Sequence, residues 1–150
     1  MNFERIRYLR EEKELTQAKM AELLDTKRSA YSLWEIGKNI IPLKKLIILC
    51  DMFNQSIDYI TKLSNNKKKI TNKKSIDSKL IGKRLKITRK DLKLTQEKLA
   101  DVLGTTHSAI SAYENGITLI PTIFLYEFSK RYNISMDYLT CRNNEKNISK

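Results

Sequence analysis

The stretch Leu15-Thr16-Gln17-Ala18-Lys19-Met20-Ala21-Glu22-Leu23-Leu24-Asp25-Thr26-Lys27-Arg28-Ser29-Ala30-Tyr31-Ser32-Leu33-Trp34-Glu35-Ile36-Gly37 returns without a gap as Leu94-Thr95-Gln96-Glu97-Lys98-Leu99-Ala100-Asp101-Val102-Leu103-Gly104-Thr105-Thr106-His107-Ser108-Ala109-Ile110-Ser111-Ala112-Tyr113-Glu114-Asn115-Gly116, 79 positions later. The register extends in both directions. Arg10 falls on Arg89, Ile41-Pro42 on Ile120-Pro121, Asn54 on Asn133, and Asp58-Tyr59 on Asp137-Tyr138. From Arg5 to Leu63, about 22 of 59 paired positions are identical, too many in one unbroken register for shared composition to produce. The chain therefore reads as two diverged copies of one small domain.

Each copy predicts five short helices. Phe3, Ile6, Leu9 and Arg10 recur at helical spacing, and the Thr16 hydroxyl is placed to cap a second helix whose Met20, Leu23 and Leu24 face inward. A turn follows at Asp25-Thr26; in the second copy the turn residue is Gly104, which takes the left-handed conformation more cheaply than Asp25 does. A third helix is expected over about Lys27 to Ile36 and Thr106 to Asn115, stopped by Gly37 and Gly116. Pro42 and Pro121 are expected in the first turn of a fourth helix running through Phe53 and Tyr132. Ser56 and Ser135 cap a brief fifth helix, with Ile57, Tyr59 and Ile60, or Met136, Tyr138 and Leu139, on its inner side. Trp34 and Tyr113 lie three residues after Tyr31 and Ile110, on the core side of the third helix.

The boundaries follow from this pattern: domain 1 over residues 1–63, a basic linker over 64–79, domain 2 over 80–142 and a polar tail over 143–150. The linker holds two isolated apolar residues, Ile70 and Ile76, and carries six basic residues against one acidic. It either lies along phosphates or stays solvated. A flexible segment of about 16 residues has a typical end-to-end distance of roughly 22 Å and stretches to about 50 Å. The two domains can then reach neighbouring sites together.

Composition narrows the partners. Lys and Arg number 29 against 17 Asp and Glu, a formal charge of +12, which favours polyanions: nucleic acid or an acidic membrane surface. No apolar segment approaches the roughly 20 residues that span a bilayer, and the charged N-terminus has no signal-peptide pattern, so a cytoplasmic, nucleoid-associated protein is expected. With Cys50 and Cys141 far apart and a single histidine, no zinc set of four ligands assembles, and both cysteines read as reduced thiols. No paired carboxylates, phosphate-cradling glycine loop or nucleophile-base pair occurs, so neither catalysis nor a cofactor is expected. No small-molecule ligand is evident.

A helix, a tight turn and a second helix, with Thr-Gln opening the first, an inner Ala, a Ser-rich second helix, Glu-x-Gly and a later Pro, resembles the Cro-and-repressor type, or Xre-like, helix-turn-helix family. The likeness covers residues 5 to 63 and 84 to 142 and occurs twice in one chain. It implies an all-α architecture of two tandem, lambda-repressor-like five-helix domains that bind double-stranded DNA, with the third helix in the major groove. The first copy departs from the pattern at Asp25, in place of the turn glycine, and at Tyr31, where Ile110 is the usual kind of residue.

The resemblance also implies site residues. Gln17 and Gln96 approach phosphate from the start of the second helix. The base-reading face is Lys27, Arg28, Ser29, Ser32 and Leu33 in the first copy and Thr106, His107, Ser108, Ser111 and Ala112 in the second. Arg28 suits guanine, and Leu33 or Ala112 a thymine methyl; the bland alternative for each is a solvated helix residue. Lys38, Asn39 and Thr118 are placed to meet phosphate after the third helix. Arg10 with Glu35, and Arg89 with Glu114, resemble the family's ion pair between the first helix and the end of the recognition helix.

The function expected is a bacterial or phage transcriptional regulator, with repression the first choice and an asymmetric site because the two third helices differ. The competing reading is a protein-interaction module of antitoxin or antirepressor kind, credible for the first copy because it is nearly neutral, with 11 basic residues against 9 acidic. Tyr59 and Tyr138 fit a homodimer surface and core packing equally well.

Overall fold

A computed structural model of the chain describes residues 1–70 and 75–150; Thr71 to Lys74, in the middle of the stretch read as a linker, lie outside the described residues. The chain divides into two compact units, each all-helical. The first carries α1 (Glu4–Glu12), α2 (Gln17–Leu23), α3 (Arg28–Glu35), α4 (Leu43–Phe53) and α5 (Ile57–Ile60). The second carries α6 (Ser78–Asp91), α7 (Gln96–Leu103), α8 (His107–Glu114), α9 (Thr122–Tyr132) and α10 (Met136–Leu139). Among the described residues no helix is long and apolar enough to cross a membrane.

Local chemistry sets the helix ends. Thr16 Oγ1 accepts from Lys19 N and Thr95 Oγ1 from Lys98 N, both at 3.1 Å, so each second helix starts on a capped threonine. Ser56 and Ser135 cap α5 and α10 in the same way, accepting from Tyr59 N and Tyr138 N at 3.1 Å. Asn54 and Asn133 close α4 and α9 in the left-handed conformation, with φ of 52° and 56°. The prolines sit one position earlier than expected. Pro42 and Pro121 are N-caps with extended ψ of 142° and 145°, and contribute only their carbonyls, which accept from Leu46 N and Leu125 N.

Each unit closes its own core. In the first, Phe3, Ile6, Met20, Leu24, Tyr31, Leu46, Leu49, Ile57 and Ile60 are buried, and Tyr31 meets Trp34 edge-on at 6.1 Å between ring centroids. In the second, Ile81, Leu85, Leu99, Ile110, Leu125, Phe128, Met136 and Leu139 do the same. Leu23 corrects the expectation that it faces inward. It is 45% exposed, because on a seven-residue helix Met20, Ala21 and Leu24 already cover the core side. Tyr59 and Tyr138 are half-buried rather than inside; Arg5 and Arg84 stack on their rings at 4.2 and 4.5 Å.

The second unit extends beyond residues 80–142 at both ends. Asp77 Oδ1 accepts from Lys79 N at 3.0 Å and Leu80 N at 3.2 Å, starting α6 at Ser78, inside the stretch read as linker. At the other end Ser135 N donates to Lys146 O at 2.8 Å, and Ile134 pairs with Asn147 in an isolated antiparallel bridge. Arg142, at the edge of the polar tail, is buried with its Nε 3.3 Å from Asp137 Oδ1. Ile70, read as an isolated apolar residue in a solvated stretch, is 5% exposed.

The turn between α2 and α3 yields a first prediction. Asp25 holds φ of 49°, the conformation Gly104 takes at 69°. An L-residue with a Cβ is penalised there by roughly 1–2 kcal/mol, less for Asp than for most, so Asp25→Gly is expected to stabilise the first unit by about 0.5–1 kcal/mol. Trp34, the only tryptophan, belongs to that unit, and its fluorescence should report a urea midpoint moved to higher concentration. An unchanged or lowered midpoint would show that the Asp25 side chain compensates for its backbone.

Candidate nucleic-acid interface

α3 and α8 are short, and each is held at its far end by a buried carboxylate. Glu35 closes α3 and is 7% exposed; Arg10 Nε donates to its Oε1 at 2.6 Å and Nη2 to its Oε2 at 3.3 Å. Arg89 and Glu114 repeat this at the same 2.6 and 3.3 Å. Arg10 Nη1 also donates to Leu15 O and Arg89 Nη1 to Leu94 O, both at 2.7 Å, so each guanidinium ties the first helix to the entry of the second as well as to the end of the third. Burial alone would raise the Glu35 carboxyl, but hydrogen bonds from Arg10 and Gln17 and the charge of Arg10 together hold it below the ordinary carboxylate value. The Tyr31 hydroxyl is pushed upward by burial first and by Glu35 next.

The glutamines expected at phosphate are part of this network. Gln17 Nε2 donates to Glu35 Oε2 at 2.9 Å, and Gln96 Nε2 to Glu114 Oε2 at 2.5 Å. One amide N–H of each is thereby engaged, and each glutamine is the first residue of a helix, whose first backbone N–H groups form a positive end. Sequence spacing did not reveal this tie, since Gln17 and Glu35 are 18 positions apart and neither residue type demands the other.

The exposed face of α3 gathers the residues assigned to base reading. Lys27 is the N-cap but makes no side-chain cap bond, and with Arg28 and Ser29 it is exposed; Ser32 and Leu33 are half-buried beside them. Gln17, Arg28, Ser29 and Ser32 line one open hollow. Ser32 Oγ donates to Ser29 O at 2.9 Å, which leaves its lone pairs available to accept. On α8 the roles shift. Thr106, expected to read bases, is the helix N-cap, its Oγ1 accepting from Ala109 N at 3.1 Å. His107 and Ser108 are exposed, His107 Nε2 lies 2.7 Å from Gln96 Oε1, Ser111 Oγ accepts from Asn115 Nδ2 at 3.3 Å, and Ala112 is half-buried.

Lys38 and Asn39 lie exposed in the loop after α3, their backbone N–H groups donating to Leu33 O, and Thr118 lies in the matching loop, donating to Ala112 O. The loops are not chemically alike. Ile117, at 78% exposure, stands where the first unit has Lys38, and α7 carries Glu97 in its first turn where α2 has Ala18. The sequence reading passed over Ile117 because an apolar residue does not suggest a phosphate contact; only its exposure singles it out.

The same architecture is found among known proteins. A family model described as helix-turn-helix matches twice, at residues 6–60 and 85–139. Two curated relatives from Bacillus subtilis (strain 168) are 35% identical: the uncharacterized HTH-type transcriptional regulator YobD over 66 residues, 44% of this chain and 59% of the relative, and YqaE, of the same description, over 65 residues, 43% and 56%. Antitoxin PezA of Streptococcus pneumoniae serotype 4 is 34% identical over 56 residues, 37% of this chain and 35% of the relative. The chain thus spans less than two thirds of the length of these relatives. The repeated match, on two units that each place a short exposed helix over a buried Arg–Glu pair, means that this chain belongs to the helix-turn-helix family, with two copies in tandem.

Proposed function

We propose that the chain is a sequence-specific double-stranded DNA-binding transcriptional regulator, acting as a repressor in the cytoplasm at the nucleoid, in which both units read DNA. The observation that carries this reading is the exposed, donor-bearing start of α3 and α8, each fixed from beneath by its arginine, glutamate and glutamine. Polar side chains on a rigid helix N-terminus are what major-groove readout uses, and the Lys and Arg excess supplies the phosphate attraction. Residues 1–63 and 80–142, with the short extensions described above, are the two heads, and Gln17, Lys38, Asn39, Gln96 and Thr118 make the backbone contacts. Because Arg28 and His107 differ, the preferred site has two unlike halves.

Selection from random duplex DNA at near-physiological salt tests this. The whole chain is expected to enrich a two-part asymmetric site, Arg28→Ala to relax one half only and weaken binding by about 5- to 100-fold, and log Kd to rise with log salt. Enrichment of a single half that survives Arg28→Ala would reassign the first unit.

The second reading is favoured by one observation, the likeness to a protein named as an antitoxin. In that case the nearly neutral first unit binds a protein, and its substitution leaves DNA selection unchanged.

A further inference from the structure

The first residue of α8 is the chain's one histidine, and the groups behind it decide what it can offer a base. The relay starts in the core. Arg89 occupies both oxygens of Glu114, and Gln96 Nε2 donates to Oε2 of the same carboxylate at 2.5 Å. A carboxylate paired with arginine accepts hydrogen bonds and donates none, so the NH₂ end of Gln96 faces Glu114 and its Oε1 faces outward. That oxygen lies 2.7 Å from His107 Nε2. An amide oxygen also only accepts, so Nε2 carries the proton, and a neutral imidazole with its N–H at Nε2 has a bare lone pair at Nδ1.

We infer that His107 reads its base as a hydrogen-bond acceptor through Nδ1, selecting the exocyclic amine of adenine or cytosine, with Gln96 as the positioning residue that fixes the tautomer. The inference rests on the DNA-binding reading of the second unit and adds the polarity of one contact. In the major groove adenine N6 and cytosine N4 are donors, whereas guanine presents N7 and O6 and thymine O4, all acceptors that a lone pair repels. The first unit carries the same Arg10–Glu35–Gln17 contacts, and the first residue of its third helix is Arg28, whose guanidinium only donates and suits guanine O6 and N7. Two copies of one scaffold thus present opposite polarity at the same position.

Two measurements on the full chain test this at pH 8.5, about two units above the ordinary imidazole value. Nitrogen-15 spectra contain one histidine ring. The wild type is expected to show the Nε2–H tautomer alone, with a hydrogen-bonded Nε2 proton slow enough in exchange to observe; Gln96→Leu should lose that proton and return the ring to the mixture found in water. A ring protonated at Nδ1 in the wild type, or spectra that Gln96→Leu does not change, would overturn the inference. In selection from random duplexes, the base pair whose preference His107→Ala abolishes should differ in identity or orientation from the pair that His107→Arg selects there and be favoured over it by roughly tenfold, since arginine takes guanine where the wild type takes adenine or cytosine, and Gln96→Leu should flatten that pair alone. A wild type that selects the same base pair, in the same orientation, as His107→Arg overturns the polarity while leaving DNA binding intact. Absence of any enriched site overturns the DNA-binding reading itself, and the base assignment with it.

Discussion

Glu35→Ala is expected to destabilise the first unit by about 3–5 kcal/mol, because it leaves Arg10, a residue 9% exposed, without the carboxylate that compensates its burial. The loss extends past the pair. Gln17 loses its acceptor, and α3 is released from α1 at the end nearest the turn that leads to Lys38 and Asn39. Set against a total stability of about 5–15 kcal/mol for a domain, such a loss is enough to populate the unfolded first unit under ordinary conditions. Trp34 adjoins Glu35 and is buried, so its fluorescence should show a urea midpoint moved far down, while circular dichroism retains a second, unshifted transition from α6–α10. The carboxyl also gives a pH dependence. Its value in the folded unit lies below the unfolded one, so the associated stability is present above the unfolded value and is lost as pH falls through the folded value. The Trp34 transition should therefore become less pH-dependent at the acid end in Glu35→Ala than in the wild type. A variant as stable as the wild type would mean that Arg10 finds water or another acceptor and that the pair sets geometry without holding the fold together.

How much of this was legible in the sequence depends on whether the signal was periodic or spatial. The repeat of 79 residues made two domains visible, because Thr16 and Thr95, Glu35 and Glu114, and Asn54 and Asn133 are tied to caps and turns that both copies need. The placement of Arg28 and His107 at the start of an exposed helix followed from the family resemblance, and the helix ends agree with it. What could not be read were contacts whose partners are distant and chemically unremarkable alone. The link from Gln96 to Glu114 and His107 is one. Arg5 is another: it stacks on Tyr59 while donating to Tyr59 O and Ser64 O, a clasp that Arg84 repeats on Tyr138 and Asn143. Asp77 was hidden by its polar neighbours, since a capping aspartate and a solvated one look alike until a helix follows. Arg142 is a further one, a charged residue whose burial shows only once Asp137 is seen to hold it inside.

Gly82→Ala is expected to destabilise the second unit although it adds a single methyl to a helix. Here the two copies differ. Gly82 corresponds to Phe3, a buried N-cap that starts α1, whereas α6 begins four residues before Gly82 and continues across the end of α8. A Cβ at Gly82 would meet Tyr113 O, and Glu114 O at 2.5 Å, and these are backbone atoms that no rotamer change can move aside. Gly116 faces α6 as closely, its own Cβ position 2.6 Å from Lys79 Cα, and Ser78 Oγ donates to Gly116 O at 3.0 Å across the same seam. Alanine favours a helix over glycine by about 1 kcal/mol, so the sign depends on which effect is larger. Overpacking of a tight site typically costs about 1–3 kcal/mol, and more where the obstacle is main chain; the clash therefore wins, and α6 must shift away from α8. That shift loads the Arg89–Glu114 pair, which joins the same two helices, and with it Gln96. The circular dichroism transition of the second unit should move to lower urea while the Trp34 transition stays in place, and any half-site read by α8 should weaken before the unit unfolds. If Gly82→Ala instead raised the second midpoint, α6 would be free to lift from α8 without strain, and the close crossing would have no part in holding the recognition helix.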